Sequence, residues 1–417
     1  MLQNKYYIVI SCLIACVLQM KAQTLPLDSI LVAIKKNNPQ LKMYDADVQS
    51  MDAAAKGARV WMPPQIETGF FMTPYNTDMW KANDMNPGMG NYMLGVTQMI
   101  PISNKNKSEF NYMSAMSSVE KENRNYTLNQ LNAFAKINYY QWLILSKKIK
   151  IVSDNLSLLD YMIKSMEIRY QYNMDKLPTY YKAKSLRGST ENMLSMYKSE
   201  TYQRRSILNS LMYRDKSTTF EIDSTFQIKE YNLTQSDTSV LSKNRSDIKA
   251  IEKNIELNRL KTEAEKTKTS PEFGIKYDHM FTFGQQPDMF SLVGMITIPM
   301  PWSTKMKKAN VESLQIKNES LKWQKQMILN ETSGMLSGMI YELQNAKKQY
   351  EISQNSIIPS LKKNYDTSVL AWQNNTVDLF NVLDAWETLN MAQLDTLDKL
   401  QKILNTQVEI EKQLEIK

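Results

Sequence analysis

The side chains in this sequence best suited to chemistry are sulfurs. In the stretch "FFMTPYNTDMWKANDMNPGMGNYMLGVTQMIP", between Phe70 and Pro101, stand Met72, Met79, Met85, Met89, Met93 and Met99. A second stretch adds Met280, Met289, Met295 and Met300. Thioether sulfur is a soft ligand that suits Cu(I) or Ag(I), and here it would give weak, exchanging sites. Methionine is also a common apolar filler, and the chain holds 28 of them, so plain packing is the competing reading. On a lipid-facing surface these residues would do no chemistry.

Other chemistries are poorly served. His279 is the only histidine, and it reads as a polar residue at a strand end. No set of convergent N, O or S ligands suits a metalloenzyme. There is no Gly-rich phosphate loop and no Ser–His or Cys–His pair at a defined spacing. The sequence reads as non-enzymatic and without a cofactor. Any energy for work must then come from a partner.

The first residues bound the compartment. Lys5 leads into an apolar run from about Tyr6 to Leu18, and a small-residue exit follows at Ala22. Residues 1–22 therefore read as a secretory signal. The alternative is lipidation at Cys16, because Leu13-Ile14-Ala15-Cys16 resembles a lipobox. Cleavage after Ala22 removes both cysteines, Cys12 and Cys16, so the exported chain has no disulfide. The exported chain contains no apolar run long enough for a transmembrane helix, and any crossing of a membrane falls to β-strands. The net charge is +8, with lysines scattered rather than blocked. That describes a solvated surface and not a nucleic-acid site.

The elements that must position the methionines come from a duplication. "NNPQLKMYDADVQS…VWMPPQIETGF" parallels "KNRSDIKAIEKNIE…TKTSPEFGIKY": Leu41 matches Ile248 and Pro64 matches Pro271 at the same offset. In each copy a helical stretch ends at proline and runs into alternating residues. These are Ile66, Thr68 and Phe70 in the first copy, and Phe273, Ile275 and Tyr277 in the second. Alternation of that kind predicts two-faced strands. Second strands follow in "YMLGVTQMIPIS" and "FSLVGMITIPMPWS", across turn-rich loops near 73–91 and 281–290.

After each second strand comes a long helical pattern. From Asn104 to about Tyr172 there is neither Gly nor Pro, which is a rod of about 100 Å. Trp142, Leu145, Ile149, Val152, Leu156, Leu159, Ile163, Met166 and Tyr170 alternate spacings of three and four, a heptad seam. Each rod ends at a related break, "YNMDKLPTYYKAKS" and "NNTVDLFNVLDAWE", where Asn173 aligns with Asn375. Asparagine is the non-glycine residue best suited to a left-handed helix cap, so a tight turn is expected at each. Helices then return over about 180–213 and 378–412. The organisation is a first repeat over 23–214, a linker segment over 215–240, and a second repeat over 241–417.

Four strands of about ten residues suit an outer-membrane barrel but cannot close one, since the smallest have about eight. Open edges in lipid leave unpaired backbone groups, so the strands must be shared between chains. Three chains supply twelve strands, and their helices close into a tube. Aromatics at the strand ends support this reading over a small soluble sheet on a rod. They are Phe70, Phe71, Tyr75, Trp80 and Tyr92 in one hairpin, and Phe281, Phe283 and Phe290 in the other. The expected fold class is mainly α with a small β part. It combines a long coiled-coil α-barrel with four strands per chain, completing a twelve-stranded trimeric outer-membrane β-barrel.

At this point the sequence resembles the TolC-like outer-membrane efflux proteins. The carrying residues are "NNPQLKMYDADVQS", the strand starts at Pro64 and Pro271, the strand exits "TQMIPIS" and "TIPMPWS", Pro359 in "SIIPSLKKNYDTSVLAWQNN", and the turn "VDLFNVLDAWETL". The resemblance implies a homotrimer in the outer membrane with its helical part in the periplasm. It also implies a periplasmic adaptor protein and an inner-membrane pump, proton-driven in the leading reading. It further implies acidic residues ringing a closed pore on the helix after the second turn. Asp384 falls at one such position, and Asn381 sits one turn earlier where another acid can stand. Asp175 and Asp378 lie nearer the turns, and Asp378 also suits a helix N-terminus. A ring of Asp384 would favour cations.

The function expected is a passive channel of a tripartite efflux system that exports metal cations or small toxic compounds. Two alternatives stand beside it: the duct of a type I protein secretion system, and a non-conducting periplasmic coiled-coil spacer or adhesin.

Overall fold

The computed structural model describes residues 24–84, 87–100, 103–172 and 176–415. The candidate signal 1–22, Met85, Asn173 and Asp175 lie outside them. The elements in chain order are β1 (Thr24–Leu25), α1 (Leu27–Asn37), α2 (Pro39–Gly57), β2 (Gln65–Phe71), β3 (Asn91–Ile100), α3 (Ser103–Gln171), α4 (Leu177–Leu211), β4 (Glu221–Ile222), α5 (Thr238–Asn244), α6 (Ser246–Thr267), β5 (Glu272–Thr282), β6 (Met289–Thr297), α7 (Lys305–Ile352), α8 (Ile358–Gln373) and α9 (Leu379–Leu414). None of the described helices is long and apolar enough to cross a membrane. The chain divides into two compact units, each drawing on both halves of the sequence.

One unit, Met43–Arg124 with Ser246–Ile328, holds a four-stranded antiparallel sheet in the order β2-β3-β5-β6. Each half of the chain supplies one hairpin, and β3 pairs with β5 to join them. β2 and β6 are the edges, each with one side unpaired among the described residues. Pro64 precedes β2 and Pro271 precedes β5, where the missing N–H interrupts no ladder bond.

The other unit comprises the described residues within Met1–Lys42, Asn125–Arg245 and Leu329–Lys417. It is built from packed helices. Trp142, Leu145, Val152, Leu159, Ile163 and Met166 of α3 are buried, as a heptad seam requires. Tyr170 is not: it is 48% exposed, because the apolar cluster around this part of α3 ends at Met166. That cluster packs Leu159, Met162 and Met166 against Ala183 of α4 and against Leu379, Val382, Leu383 and Trp386 of α9. Apolar surface alone would tolerate a shift of one heptad. A polar contact limits it: Asn155 Nδ2 donates to Asn390 Oδ1 at 2.7 Å, and Trp386 Nε1 donates to Asn155 Oδ1 at 3.0 Å. Slipping the helices would leave these groups unpaired away from water.

Two further features mark the second long helical stretch. Between α7 and α8 one turn, Ser353–Ile357, widens to a π-helix, with the Ile358 N–H reaching the Ser353 carbonyl. Pro359 follows directly, and a ring without an N–H forces such an adjustment in a helix interior. α8 then ends in a left-handed cap. Asn375 has φ of 57°, its N–H reaches the Trp372 carbonyl at 3.0 Å, and the Thr376 N–H reaches the Ala371 carbonyl at 2.9 Å. These two hydrogen bonds satisfy carbonyls in the last turn of the helix and reverse the chain.

The segment over 215–240 packs on the helices. β1 runs parallel to β4, and Phe220 is buried against Trp142 with ring centroids 5.0 Å apart. Tyr139 donates to the Asp223 carbonyl at 2.9 Å, and burial pushes its hydroxyl pKa up to about 12. Glu411, on α9, is buried and accepts from Lys136 at 2.6 Å, Lys229 at 2.7 Å and the Tyr231 hydroxyl at 3.2 Å. Burial pushes the Glu411 carboxyl up, but the two lysine hydrogen bonds outweigh it and hold it below the usual glutamate range.

A carboxyl depressed in the folded state adds stability above its unfolded pKa, and that stability is lost as pH falls through the folded value. The melting temperature of the purified protein is therefore expected to fall as pH drops from neutral below about 4.3. Glu411→Gln should flatten that dependence and cost about 2 kcal/mol at neutral pH, measured by thermal denaturation in detergent.

Candidate functional site

The sheet has two chemically distinct faces. On one lie Ile66, Thr68 and Phe70 of β2, with Tyr92, Leu94, Val96 and Ile100 of β3. β5 adds Phe273, Ile275, Tyr277, His279 and Phe281, and β6 adds Phe290, Leu292 and Ile296. This face is open. Ile66, Leu292 and Phe290 are each 68 to 70% exposed, although water is a poor medium for them. At one end of the sheet Phe70, Trp80, Tyr92 and Phe283 form an aromatic cluster, with Trp80 stacked on Phe283 at 5.3 Å. The Trp80 indole N–H reaches the Pro74 carbonyl at 2.8 Å. His279 packs edge-on to Phe281, and its Nε2 lies 4.0 Å from Asp288.

The opposite face is polar. Gln65↔Thr97↔Lys276↔Val293 forms one cross-strand row, apolar only at its β6 end, and Glu67↔Gly95↔Asp278↔Ser291 the next. Lys276 Nζ is 2.7 Å from Glu67 Oε2 and 3.5 Å from Asp278 Oδ1, and Ser291 Oγ donates to Asp278 Oδ2 at 3.1 Å. Gly95 leaves room for this carboxylate, since a Cβ on it would stand 2.4 Å from Asp278 Oδ1 and displace it. This charged cluster was not singled out from the sequence. Strand alternation carried the signal, because Glu67, Lys276 and Asp278 all stand at positions opposite in parity to the apolar set.

The methionines divide. Met93 and Met99 lie on the polar face, in the same parity as Thr97. Met72, Met79 and Met89 lie in the loop that joins β2 to β3, and all three are exposed. Met72 has φ of 48°, and the Met89 N–H reaches the Met79 carbonyl at 2.8 Å. Met85 lies outside the described residues. No group of three His, Cys, Asp or Glu able to hold a metal occurs among the described residues.

The residues near the α8–α9 turn lie in the helical unit. Asp378 caps α9, accepting from the Phe380 N–H at 3.1 Å, and lies 3.4 Å from Lys176. Arg169 reaches across to the turn, donating to Asn375 Oδ1 at 2.6 Å and lying over the Trp372 ring at 4.8 Å. Asn381 and Asp384 are both exposed, one turn apart on the same side of α9 and followed by Thr388 and Met391. The buried side of that helix is held by Val382, Leu383 and Trp386. Asn173 and Asp175 lie outside the described residues.

Comparison with known proteins agrees with this geometry. Residues 30–212 match the family model "Outer membrane efflux protein". No curated protein matches the sequence. Among solved structures, CusC, known from crystal structures concerned with folding and transmembrane channel formation, superposes with a TM-score of 0.75. Identity is 14%, covering 93% of this chain and 91% of CusC. The outer membrane protein VceC from Vibrio cholerae gives 0.73 at 14% identity, covering 93% and 95%. The Campylobacter jejuni CmeC outer membrane channel gives 0.72 at 13% identity, covering 93% and 85%. At such identities the likeness is one of fold. The matched family segment and the shared fold point to the same relatives: this chain resembles the TolC-like outer-membrane efflux channels, by sequence over residues 30–212 and by fold over 93% of its length.

Proposed function

We propose that the protein is one subunit of a passive, homotrimeric outer-membrane exit duct. Its sheet would supply four of twelve barrel strands, and its helices would stand in the periplasm. The observation that carries this reading is the sheet: two unpaired edges, one open apolar face and one charged face. An apolar face of this extent belongs in lipid. Edges in lipid demand partners, and a second and third copy meet that need without a free edge. The charged face then lines water. In this reading an inner-membrane pump supplies the driving force and a periplasmic adaptor joins it to the duct. The cargo class is metal cations or small toxic compounds.

Purified protein is expected to migrate as a trimer in detergent and to form stable conducting steps in planar bilayers. Leu292→Arg, on the apolar face, should deplete trimers from the membrane fraction, with a cost of about 2–4 kcal/mol near the bilayer midplane. Its neighbour Ser291→Arg, on the charged face, should insert normally and change conductance instead. Single-chain, electrically silent material, or equal insertion of both variants, sinks the reading.

Asp384 has a place in the same proposal. Three exposed copies brought near an axis by a trimer concentrate negative potential where the helices narrow. Asp384→Asn is expected to reduce cation-over-anion selectivity, read from reversal potentials in a salt gradient. An unchanged reversal potential removes Asp384 from the gate.

A further inference from the structure

The strand register assembles methionines that the sequence keeps far apart. Met93 of β3 stands opposite Met280 of β5, and Met280 stands opposite Met289 of β6. The fourth position in this row is Gly69 of β2, with open space above it. Adjacent strands are about 4.8 Å apart, so three flexible thioethers share one short row. A second group lies on the same face. Met99 and Met295 flank Gly274 in register, and a Cβ on Gly274 would stand 2.7 Å from Met99 Sδ and 3.0 Å from Met295 Cε. Both side chains thus fold over the glycine toward each other. The two groups are centred at Met280 and Gly274, about 20 Å apart along β5, with Lys276 and Asp278 between them.

Placement separates this from ordinary packing. Strands β2, β3, β5 and β6 contain five methionines, Met93, Met99, Met280, Met289 and Met295, and all five stand on the charged face. The apolar face uses mostly Ile, Leu, Val, Phe and Tyr, with Thr68, Gln98 and His279 and no methionine. Filler would be placed where apolar contact is needed, and here the thioethers stand beside Glu67, Lys276 and Asp278.

We propose that this face carries two exchanging sites for a soft monovalent cation of the Cu(I) or Ag(I) class, which passes along the duct as cargo. The first is the three-sulfur row Met93–Met280–Met289, and the second is the pair Met99–Met295 over Gly274. Thioethers coordinate such ions without deprotonation and bind Na⁺, K⁺ or Mg²⁺ poorly. The row offers more sulfurs and is the tighter site. Its role in transport rests on the channel reading above, whereas the binding itself does not.

The test is Ag⁺ binding to the purified full-length protein in chloride-free detergent buffer, by isothermal titration, with bilayer conductance measured on the same preparations. Wild type should bind Ag⁺ and not Na⁺. M93L/M280L/M289L keeps side-chain volume and should lose at least about tenfold in affinity at the tighter site while its conductance in KCl persists. M72L/M79L/M89L, in the loop, should bind as wild type. ¹³C-methyl methionine spectra of unaltered protein give a readout that needs no substitution: the Met93, Met280 and Met289 signals should shift with Ag⁺. Conducting protein that binds no Ag⁺, or a row variant with wild-type affinity, overturns the site and leaves the channel intact. Non-conducting protein that binds Ag⁺ at the row overturns the channel and leaves the site.

Discussion

Every backbone N–H and C=O in hydrocarbon needs a partner, and the sheet of this protein cannot supply all of its own. Among the described residues, the four antiparallel strands leave the outer sides of β2 and β6 unpaired, at several kcal/mol for each group that lipid would surround. The apolar face bars the simple escape into water, because Ile66, Phe290, Leu292 and Ile296 have no covering layer among the described residues. In the proposed reading, lipid on one face and strand partners at both edges satisfy these demands together. The trimeric reading, the polar lining and the direction of any cargo path all descend from that constraint.

The helical unit meets a different demand. Long helices with narrow apolar stripes bury little per residue, so hydrophobic contact alone specifies their register weakly. Polar contacts add the specificity. Asn155 ties Trp386 and Asn390 to α3, and Glu411 draws Lys136, Lys229 and Tyr231 to α9. These groups are costly to bury unpaired, which makes a slipped packing expensive. The left-handed Asn375 cap and the π-turn before Pro359 end and adjust the helices without leaving carbonyls orphaned.

We read the two halves as copies of one unit, which would let one chain provide both parts economically in sequence. Each copy gives a helix, a hairpin, a long helical stretch, a turn and a return helix. The hairpins meet through β3 and β5. The first hairpin carries Glu67 and the second carries Lys276 and Asp278, and their ion pair crosses from one copy to the other. The thioether row crosses in the same way.

Much of the fold was legible in the residues themselves. Strand alternation, proline at the strand starts, a glycine- and proline-free run of about 70 residues, and a spacing of three and four are local patterns set by backbone geometry. They sufficed for the elements and for the mismatch between strand number and barrel closure. Local pattern also gave the parity that separates Phe70 from Phe71. It did not reveal which strand neighbours which, or in what register. Met93 and Met280 are distant in sequence, and only the β3–β5 pairing makes them opposite. Nor did it show that Gly274 opens room for Met99 and Met295, or that Tyr170 falls beyond the end of the buried seam. Those outcomes depend on contacts between remote segments, which local periodicity does not encode; tertiary structure decided them.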